Sequence, residues 1–363
     1  MMKFVISGGG TGGHIFPAIA IADALKRRIP DAEILFIGAE GRMEMDRVPK
    51  AGYKIEGLWI SGFTKDLSVV SLPFKIISSL RKAKKLLKEF QPDVVIGVGG
   101  FASGPTLKAA NWLGIPTVIQ EQNSYPGKTN RNVGQKAKAI CVAYNGLDRW
   151  FPTMKLHFTG NPLRGNINAH QDRTEAAKYF GVDPNRPVVL LVGGSQGALG
   201  INKGISAQIE KFKDSEMQLI WQTGKFYYDE AVKEVKENHL EENVKPTVFI
   251  ERMDYAYSVA DVVISRAGAI SISELALVQK PVIFVPLPTA AEDHQTKNAM
   301  QLVDAGAAVM VKNDETELVL IPKLQELLRD KARQEEMKAN IAQFARPNAA
   351  EDIVDVILKA TEK

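Results

Sequence analysis

The sequence predicts an α/β protein with two doubly wound, Rossmann-like domains. Short apolar runs rich in Val and Ile alternate with longer amphipathic segments, a pattern typical of parallel strands buried on both faces. A glycine-rich loop follows the first strand of each half, at residues 8–14 and 193–198. Because the two halves repeat the same order of elements, we expect two domains of ordinary size, each with its own core.

The individual elements follow from the apolar runs. In the first half, strands are expected at Phe4–Ser7, Ile34–Ile37, Val94–Val98, Thr117–Gln120 and Ala139–Val142. The clearest helical patterns between them are at Phe16–Arg28 and Ser79–Phe90. In the second half, strands are expected at Val188–Val192, Gln218–Gln222, Thr247–Ile250, Val262–Ser265, Val282–Val285 and Ala308–Val311.

The domain boundary is predicted from turn residues. Gly160, Asn161 and Pro162 interrupt the pattern of alternating elements, and Pro347 marks a bend before the last helix. We therefore expect a first domain of residues 1–162 together with a returning helix at 346–363. The second domain is expected at residues 163–345.

Composition limits the class of function. The chain has 363 residues, of which 45% are hydrophobic and 24% charged, as in a globular protein. Its net charge of +4 suits anionic small molecules or an anionic membrane surface and is too small to favour nucleic acid. The single cysteine, Cys141, excludes an intrachain disulfide. Neither a metal ion nor a cofactor is predicted, because no His/Cys cluster has ligand spacing.

The first glycine loop is typical of a phosphate-binding turn between a strand and a helix. Gly8, Gly10 and Gly13 fit the Gly-x-Gly-x-x-Gly pattern of dinucleotide-binding folds. That pattern also requires an acidic residue at the end of the second strand, where this chain has Gly38, so an NAD or flavin site is the weaker alternative. His14 stands where the loop becomes a helix and can exchange a proton near neutral pH.

The second glycine loop allows two interpretations. Gly193, Ser195 and Gly197 match the nucleophile elbow of α/β-hydrolases, with His294 as a downstream partner. The hydrolase interpretation assigns no function to the loop at residues 8–14. Phosphate binding by Ser195 and the loop amides explains both loops and is favoured.

A third motif, Arg266–Glu274, is more specific. Gly268 and small residues open a helix whose N–H groups could bind a diphosphate. Glu274, about one turn further, could accept hydrogen bonds from a ribose diol or could serve as a helix-capping group. Gln295, after the next strand, could bind sugar hydroxyls.

Residues 67–90 form an amphipathic stretch with two interpretations. Its apolar side chains could insert into a membrane surface while its lysines bind anionic headgroups. Alternatively, it is an ordinary helix packed on its own domain. The residues assigned to the membrane patch are Val69, Val70, Leu72, Phe74, Ile76, Ile77, Lys82 and Lys85.

Together these motifs resemble the MurG family of UDP-N-acetylglucosamine-dependent glycosyltransferases. The matching segments are Gly9–His14 with Phe16 and Pro17, Gly99–Phe101 with Ser103–Pro105, Glu121–Asn123, Gly160–Pro162 with Arg164, Gly193–Gly197, Arg266 and Gly268 with Ser273 and Glu274, and His294 with Gln295. One departure is Gln120, where family members often have histidine. The resemblance implies two facing domains of the GT-B type with a cleft between them.

The resemblance also implies an activity: inverting transfer of GlcNAc from UDP-GlcNAc to the 4-hydroxyl of undecaprenyl-diphospho-MurNAc-pentapeptide. This is the lipid I to lipid II step of peptidoglycan synthesis, at the cytoplasmic face of the bacterial inner membrane. It makes the membrane patch the favoured interpretation of residues 67–90. The alternatives are a UDP-sugar transferase with a non-lipid acceptor and, less favoured, an NAD-dependent oxidoreductase.

The resemblance further implies roles for individual residues. Ile250 would lie at the uracil, Glu274 at the ribose, and Asn123 and Gln295 at the GlcNAc hydroxyls. The candidates for the base are His14 and Glu121. Thr11, Gly12 and Gly13 would close on the GlcNAc from the other domain. Arg164 would add positive charge at the diphosphate, which would be held by Ser195 and the amides of Ala269, Ile270, Ser271, Ile272 and Ser273.

Overall fold

The computed structural model describes residues 1–60, 72–163, 167, 171–194, 197–213 and 215–362. The chain divides into two compact units. One, here called the N-terminal domain, comprises Met1–Arg164 and Arg346–Lys363, and the other, the C-terminal domain, comprises Gly165–Ala345. Within the described residues, no helix is long and apolar enough to span a bilayer.

The N-terminal domain alternates strands and helices along the chain. Its elements are β1 (Lys3–Ser7), α1 (Gly12–Arg28), β2 (Glu33–Ala39), α2 (Glu44–Lys50), β3 (Lys54–Leu58), α3 (Leu72–Phe90), β4 (Val94–Gly97), α4 (Ser103–Trp112), β5 (Thr117–Glu121), α5 (Lys128–Gly134), β6 (Ala139–Val142) and β7 (Leu156–Phe158). The strands form one parallel sheet in the order β3-β2-β1-β4-β5-β6-β7.

The C-terminal domain repeats this plan. Its elements are α6 (Arg173–Phe180), β8 (Val188–Val192), α7 (Leu199–Ser206), β9 (Gln218–Gln222), α8 (Tyr228–Glu237), β10 (Val244–Thr247), α9 (Met253–Val259), β11 (Val262–Ser265), α10 (Ala269–Val278), β12 (Val282–Phe284), α11 (His294–Asp304), β13 (Val309–Met310), α12 (Thr316–Arg329) and α13 (Lys331–Ala342). Its parallel sheet has the order β10-β9-β8-β11-β12-β13.

The cores explain why the strands are continuous apolar runs. Along β8, Val189 and Leu191 belong to one buried cluster, whereas Val188 and Leu190 belong to another. Successive side chains of a strand point to opposite faces, so both faces of this sheet are buried. The alternation of strands with helices predicted this doubly wound architecture, and the structure confirms it.

The last helix, α14 (Ala349–Thr361), belongs to the N-terminal domain although it follows the whole C-terminal domain along the chain. Ile353 and Ile357 are fully buried in the same cluster as Ile21 and Leu25 of α1. An ion pair between Arg27 and Glu351, 2.6 Å long, lies at the exposed edge of this contact.

Three strands differ from the sequence prediction. The sequence did not predict β3 and β7, because each is a short edge strand whose residues are partly exposed and not uniformly apolar. β10 was expected at Thr247–Ile250 and lies at Val244–Thr247, where it pairs with β9. It includes Pro246, which an edge strand tolerates because one side of it lacks a ladder partner.

Each sheet has one point at which the strand order reverses. In the N-terminal domain it lies between β1 and β4, and in the C-terminal domain between β8 and β11. Ligands of open parallel sheets bind beyond the carboxyl ends of the strands at such points. The loops that begin at Gly8 and Val98, and at Gly193 and Arg266, are therefore the places to look for a site.

Candidate functional site

The first glycine loop packs directly against the loop that follows β4. The N–H of Gly9 donates to the carbonyl of Gly99 over 3.3 Å. A Cβ atom on Gly8 would overlap the Val98 side chain, and one on Gly100 would overlap the Gly9 carbonyl. The glycines at this switch point therefore serve first to bring two backbone segments together.

A buried carboxylate lies beneath the same loop. Glu44, on α2, is 1% exposed and accepts hydrogen bonds from Gly10 N at 2.9 Å and Ala39 N at 3.0 Å. Gly9 and Gly38 leave the space that the Glu44 side chain fills. The Glu44 carboxylate accepts the hydrogen bond from Gly10 N that a bound pyrophosphate would otherwise accept. This contact argues against a dinucleotide on this loop.

Sequence reasoning missed Glu44. The dinucleotide rule looks for an acidic residue at the end of the second strand, where Gly38 and Ala39 stand, and Glu44 follows only in the next helix. A signal was available in the small residues Gly9 and Gly38, which the structure places against one carboxylate. Their pairing became visible only with the tertiary structure.

His14 is the third residue of α1 and is half-buried. Its Nδ1 lies 3.2 Å from Thr11 Oγ1, a hydrogen-bond distance at which the donor depends on the tautomer. Its other edge lies against Gly99, where a Cβ atom would come within 2.7 Å of Nε2. Gly99, with a φ of +90°, thus provides the space in which the imidazole lies.

Glu121, the other candidate base, is deeply buried at the end of β5, with 1% of its surface exposed. Its Oε1 accepts hydrogen bonds from the backbone N–H and the side-chain amide of Asn123, at 3.0 and 3.3 Å. Its Oε2 accepts from Gly127 N at 3.0 Å and Asn130 Nδ2 at 2.8 Å. Burial raises the pKa of this carboxyl group, and the four hydrogen bonds oppose that rise.

The Glu121 carboxylate therefore holds the segment between β5 and α5 in place, and both of its oxygen atoms are engaged in doing so. Asn123, which is half-buried, receives its orientation from this contact.

Neutral amides surround the position at which the family often has histidine. Gln120 is fully buried, and its Nε2 donates to Asn161 Oδ1 at 2.9 Å. Gln122 donates to the Val98 carbonyl at 2.8 Å and to Gln120 Oε1. The network joins the loop after β4 to the residues just before the domain boundary.

The second glycine loop is built differently. Its members Gly193, Gly194 and Gly197 are described, and Ser195 lies outside the described residues. Gln222, buried at the end of β9, donates to the Gly194 carbonyl at 2.9 Å and accepts from Ile250 N at 3.0 Å. One neutral side chain thus ties this loop to the segment that carries Ile250.

The start of α10 has the features of an anion site. Gly268 is its N-cap, and no acidic residue lies in the first turn, which spans the amides of Ala269, Ile270 and Ser271. Arg266, 9% exposed, donates to the carbonyls of Val285 and Pro286, both at 3.0 Å. Burial lowers the pKa of Arg266 to about 10. The positive end of the helix dipole and this guanidinium both favour negative charge here.

In the C-terminal domain, the two polar residues expected to recognise sugars are each held by a neighbour. Glu274 is half-buried, and its Oε2 accepts a hydrogen bond from the Tyr257 hydroxyl at 3.0 Å. Gln295 accepts from Leu287 N at 2.9 Å through its Oε1, which holds the oxygen end of its amide group in place. Just before Gln295, Glu292 and Asp293 adopt left-handed φ angles of 55° and 53°. Such strain is concentrated at functional loops.

The predicted site residues thus form one group in each domain. The group at the carboxyl edge of the N-terminal sheet consists of Thr11, Gly12, Gly13, His14, Glu121 and Asn123. The group at the carboxyl edge of the C-terminal sheet consists of Ile250, Ala269–Glu274 and Gln295. Arg164 and Ser195 lie outside the described residues. Among the residues that are described, no group of three or more His, Cys, Asp or Glu side chains could hold a metal ion.

The membrane patch is described in part. Val69 and Val70, and the side chain of Leu72, lie outside the described residues. On α3, Phe74 is 69% exposed, Ile77 48% and Ile76 36%. Lys82 pairs with Glu40 at 3.2 Å, and Lys85 with Glu89 at 3.8 Å.

Comparisons with known proteins agree along the whole chain. Residues 4–142 match the glycosyltransferase family 28 N-terminal domain, and residues 188–353 match the C-terminal domain of that family. A UDP-N-acetylglucosamine--N-acetylmuramyl-(pentapeptide) pyrophosphoryl-undecaprenol N-acetylglucosamine transferase from Parabacteroides distasonis is 51% identical over 99% of both chains. One of the same name from Porphyromonas gingivalis is 53% identical over 99% of this chain and 96% of its own.

Solved structures give the same result. MurG from Acinetobacter baumannii superposes with a TM-score of 0.78 at 30% identity, over 99% of this chain and 100% of that one. A UDP-GlcNAc 2-epimerase from Neisseria meningitidis, at 18% identity and a TM-score of 0.67, shares the fold. The chain therefore belongs to the MurG family of glycosyltransferase family 28, whose two Rossmann-like domains have the GT-B architecture.

Proposed function

We propose that this protein transfers GlcNAc from UDP-GlcNAc to the 4-hydroxyl of undecaprenyl-diphospho-MurNAc-pentapeptide, with inversion at the anomeric carbon. The names of the relatives support both substrates. The observation that carries the proposal is the start of α10, where an acid-free first turn is followed one turn later by Glu274. Amides for a diphosphate and a carboxylate for a ribose, at this spacing, suit a nucleoside diphosphate sugar.

In the proposed complex, the C-terminal domain binds the donor. The amides of Ala269–Ser273 hold the diphosphate together with Ser195 and Arg164, Glu274 binds the ribose, and Ile250 lies beside the uracil. The amide nitrogen of Gln295 donates to a GlcNAc hydroxyl, and Asn123 contacts the same sugar. As the bond to the anomeric carbon breaks, negative charge grows on the departing UDP, and donors fixed in advance stabilise it. Removing one such donor typically costs about 10² to 10³ in rate.

We assign the base to His14. Its imidazole is half-buried beside Thr11, at the start of a helix, where an acceptor hydroxyl can approach. The four hydrogen bonds on the buried Glu121 carboxylate support a positioning role for that residue. In the proposed step, His14 takes the proton of the 4-hydroxyl as its oxygen attacks the anomeric carbon.

A pH–rate profile tests this assignment. His14→Ala should lower kcat by about 10² to 10⁴ and abolish the fall in kcat on the acid side, because the base must be unprotonated to act. His157→Ala, on the edge strand β7 of the same domain, is the matched control and should keep the parent profile. A variant of His14 that keeps both kcat and the acid limb would show that another group takes the proton.

The acceptor class is tested by comparing a polyprenyl-diphospho-MurNAc-pentapeptide with the same muramoyl peptide lacking the lipid diphosphate. We expect transfer from UDP-GlcNAc to the lipid-linked acceptor and at least about 100-fold lower kcat/KM for the lipid-free one, since binding energy from remote parts of a substrate supports catalysis. Equal use of both acceptors would favour a transferase with a non-lipid acceptor.

A peripheral contact with an anionic membrane, at its cytoplasmic face, completes the proposal. The exposed apolar side chains of α3, with the lysines that follow them, support it. Phe74→Ser with Ile77→Ser should abolish flotation with phosphatidylglycerol vesicles. Leu318→Ser removes a similarly exposed apolar side chain from α12 and should leave flotation unchanged. Retained flotation of the α3 variant would assign this helix an ordinary packing role.

A further inference from the structure

We infer that Tyr257 is a positioning residue that orients the Glu274 carboxylate for the ribose of the donor, so that part of the preference for a ribonucleotide originates in helix α9. The inference rests on the proposed function, because it assumes that Glu274 contacts the ribose. It adds a residue that the sequence motifs do not include, 17 positions before the carboxylate it orients.

The contact is direct and well defined. The Tyr257 hydroxyl donates to Glu274 Oε2 over 3.0 Å. The tyrosine is 4% exposed, and its ring belongs to the buried cluster that also contains Ile272 and Leu275 of α10. Both the ring and the helix that carries Glu274 are therefore fixed by the same packing.

A glutamate needs such support to recognise a diol. Its side chain has three rotatable bonds, and two vicinal hydroxyls bind well only when the carboxylate plane faces them. A hydrogen bond from a buried hydroxyl to one oxygen restricts that plane before the ligand arrives. Preorganisation of this kind increases affinity by reducing the entropy lost on binding.

The same helix supplies a matched control. Tyr255, also on α9 and 8% exposed, donates its hydroxyl to Glu175 Oε1 at 2.8 Å. Glu175 lies in α6 and is not among the site residues. Tyr255→Phe therefore removes a hydrogen bond of the same type without changing the carboxylate assigned to the ribose.

The experiment measures binding of UDP and 2′-deoxy-UDP to the full chain by titration calorimetry. Tyr257→Phe keeps the ring and removes only the hydroxyl. We expect this variant to bind UDP about five- to tenfold more weakly and 2′-deoxy-UDP within about twofold of the parent. Tyr255→Phe should leave both affinities within twofold. With UDP-GlcNAc, Tyr257→Phe should raise KM by the same factor and leave kcat unchanged.

Equal weakening of both nucleotides in Tyr257→Phe, or an unaltered preference for UDP, would overturn the inference. A parent chain that binds neither nucleotide would instead refute the proposed function, and the inference with it. Glu274→Gln tests the same pair from its other member. It should lose the preference for UDP over 2′-deoxy-UDP, and adding Tyr257→Phe to it should change UDP affinity by less than twofold. A tenfold further loss in the double variant would contradict the coupling.

Discussion

The first glycine loops of the two domains follow equivalent strands, yet different groups hold them. In the N-terminal domain, the charged carboxylate of Glu44 accepts from the Gly10 amide. In the C-terminal domain, the neutral amide of Gln222 donates to the Gly194 carbonyl. The first loop thus contacts a carboxylate of its own domain, whereas the bond from Gln222 to the described part of the second loop, residues 193–194 and 197–198, comes from a neutral group. The second loop belongs to the domain in which Arg266 and the acid-free start of α10 favour an anion.

This difference shows that a glycine pattern specifies a close backbone approach and leaves the ligand undetermined. The group already bonded to the loop decides whether another negative charge is tolerated beside it. In the N-terminal domain, buried carboxylates support the loops after β1 (Glu44) and β5 (Glu121), although the neutral amide of Gln122 supports the loop after β4. In the C-terminal domain, a neutral amide, Gln222, and a cation, Arg266, support the loops. We therefore expect the donor diphosphate to bind the second arrangement.

Removing Glu44 should have the largest effect. Glu44→Ala leaves the buried N–H of Ala39 and the part-buried N–H of Gly10 without their acceptor and opens a cavity, so the free energy of unfolding should fall by about 2–4 kcal/mol. Transfer should fall at least tenfold because His14 follows the loop, while UDP affinity stays within twofold. Denaturant unfolding and calorimetry measure these quantities. Glu40→Ala, exposed in the preceding segment, is the control. If Glu44→Ala also lost UDP affinity, the first glycine loop would take part in donor binding, contrary to this prediction.

Glu121→Gln tests the second carboxylate, and its effect should depend on pH. Burial raises the pKa of Glu121, so between the ordinary carboxyl pKa and the raised value the folded state binds more protons than the unfolded state. Stability of the parent should therefore fall as pH rises through that interval, and the variant should lack this component. The measurement is unfolding at several pH values. The kcat of Glu121→Gln should still fall at acid pH, as in the parent. If the variant lost this fall, Glu121 would be the base.

Gln222→Leu should affect the C-terminal loop alone. The substitution removes the acceptor for Ile250 N and the donor for the Gly194 carbonyl, so UDP affinity should fall about tenfold. Gln218→Leu is the matched control, because the side chain of this buried glutamine at the other end of β9 bonds to the backbone of Asp183. It should destabilise the fold and leave UDP affinity unchanged. Equal losses of affinity would mean that any damage to β9 weakens the site.

The smallest effect is expected from a pair of glycines. Gly10 and Gly194 have φ angles of +89° and +95°, so Gly10→Ala and Gly194→Ala should each cost about 1–2 kcal/mol of stability from backbone strain. Only Gly194→Ala should weaken UDP binding, by about two- to threefold. Titration with UDP distinguishes them, and a weaker complex in Gly10→Ala would place the diphosphate on the first loop instead.

Strand positions could be predicted wherever both faces of a strand are buried, because such strands are uniform in Val, Ile and Leu. The pattern failed at three edge strands, β3, β7 and β10, and succeeded at the fourth, β13, which lies at Val309–Met310 within the predicted Ala308–Val311. At β10 the most β-like run, Thr247–Ile250, shares only its first residue with the ladder. β9 ends at Gln222, opposite Thr247, and the Gln222 side chain accepts a hydrogen bond from Ile250 N. The position of an edge strand depends on the strand with which it pairs as much as on its own residues.

The loops that form the candidate site could also be predicted, since they follow strands in sequence. The groups that hold those loops could not. Glu44, Gln222 and Tyr257 act on residues that are distant along the chain, and no local pattern distinguishes them from other polar side chains. From the sequence, His14 and Glu121 are both candidates for the base, and His14 is favoured because an imidazole can exchange a proton near neutral pH. Burial of Glu121 adds a physical distinction between them.

Helix α14 has a consequence for the order of synthesis. The N-terminal domain begins first on the ribosome, but Ile353 and Ile357 of its core emerge only after the entire C-terminal domain has been translated. The C-terminal domain, by contrast, is one continuous segment and can fold as soon as it leaves the exit tunnel. Until α14 docks, Ile21 and Leu25 of α1 lack the part of their packing that Ile353 and Ile357 supply, so this cluster is the last part of the core to be completed.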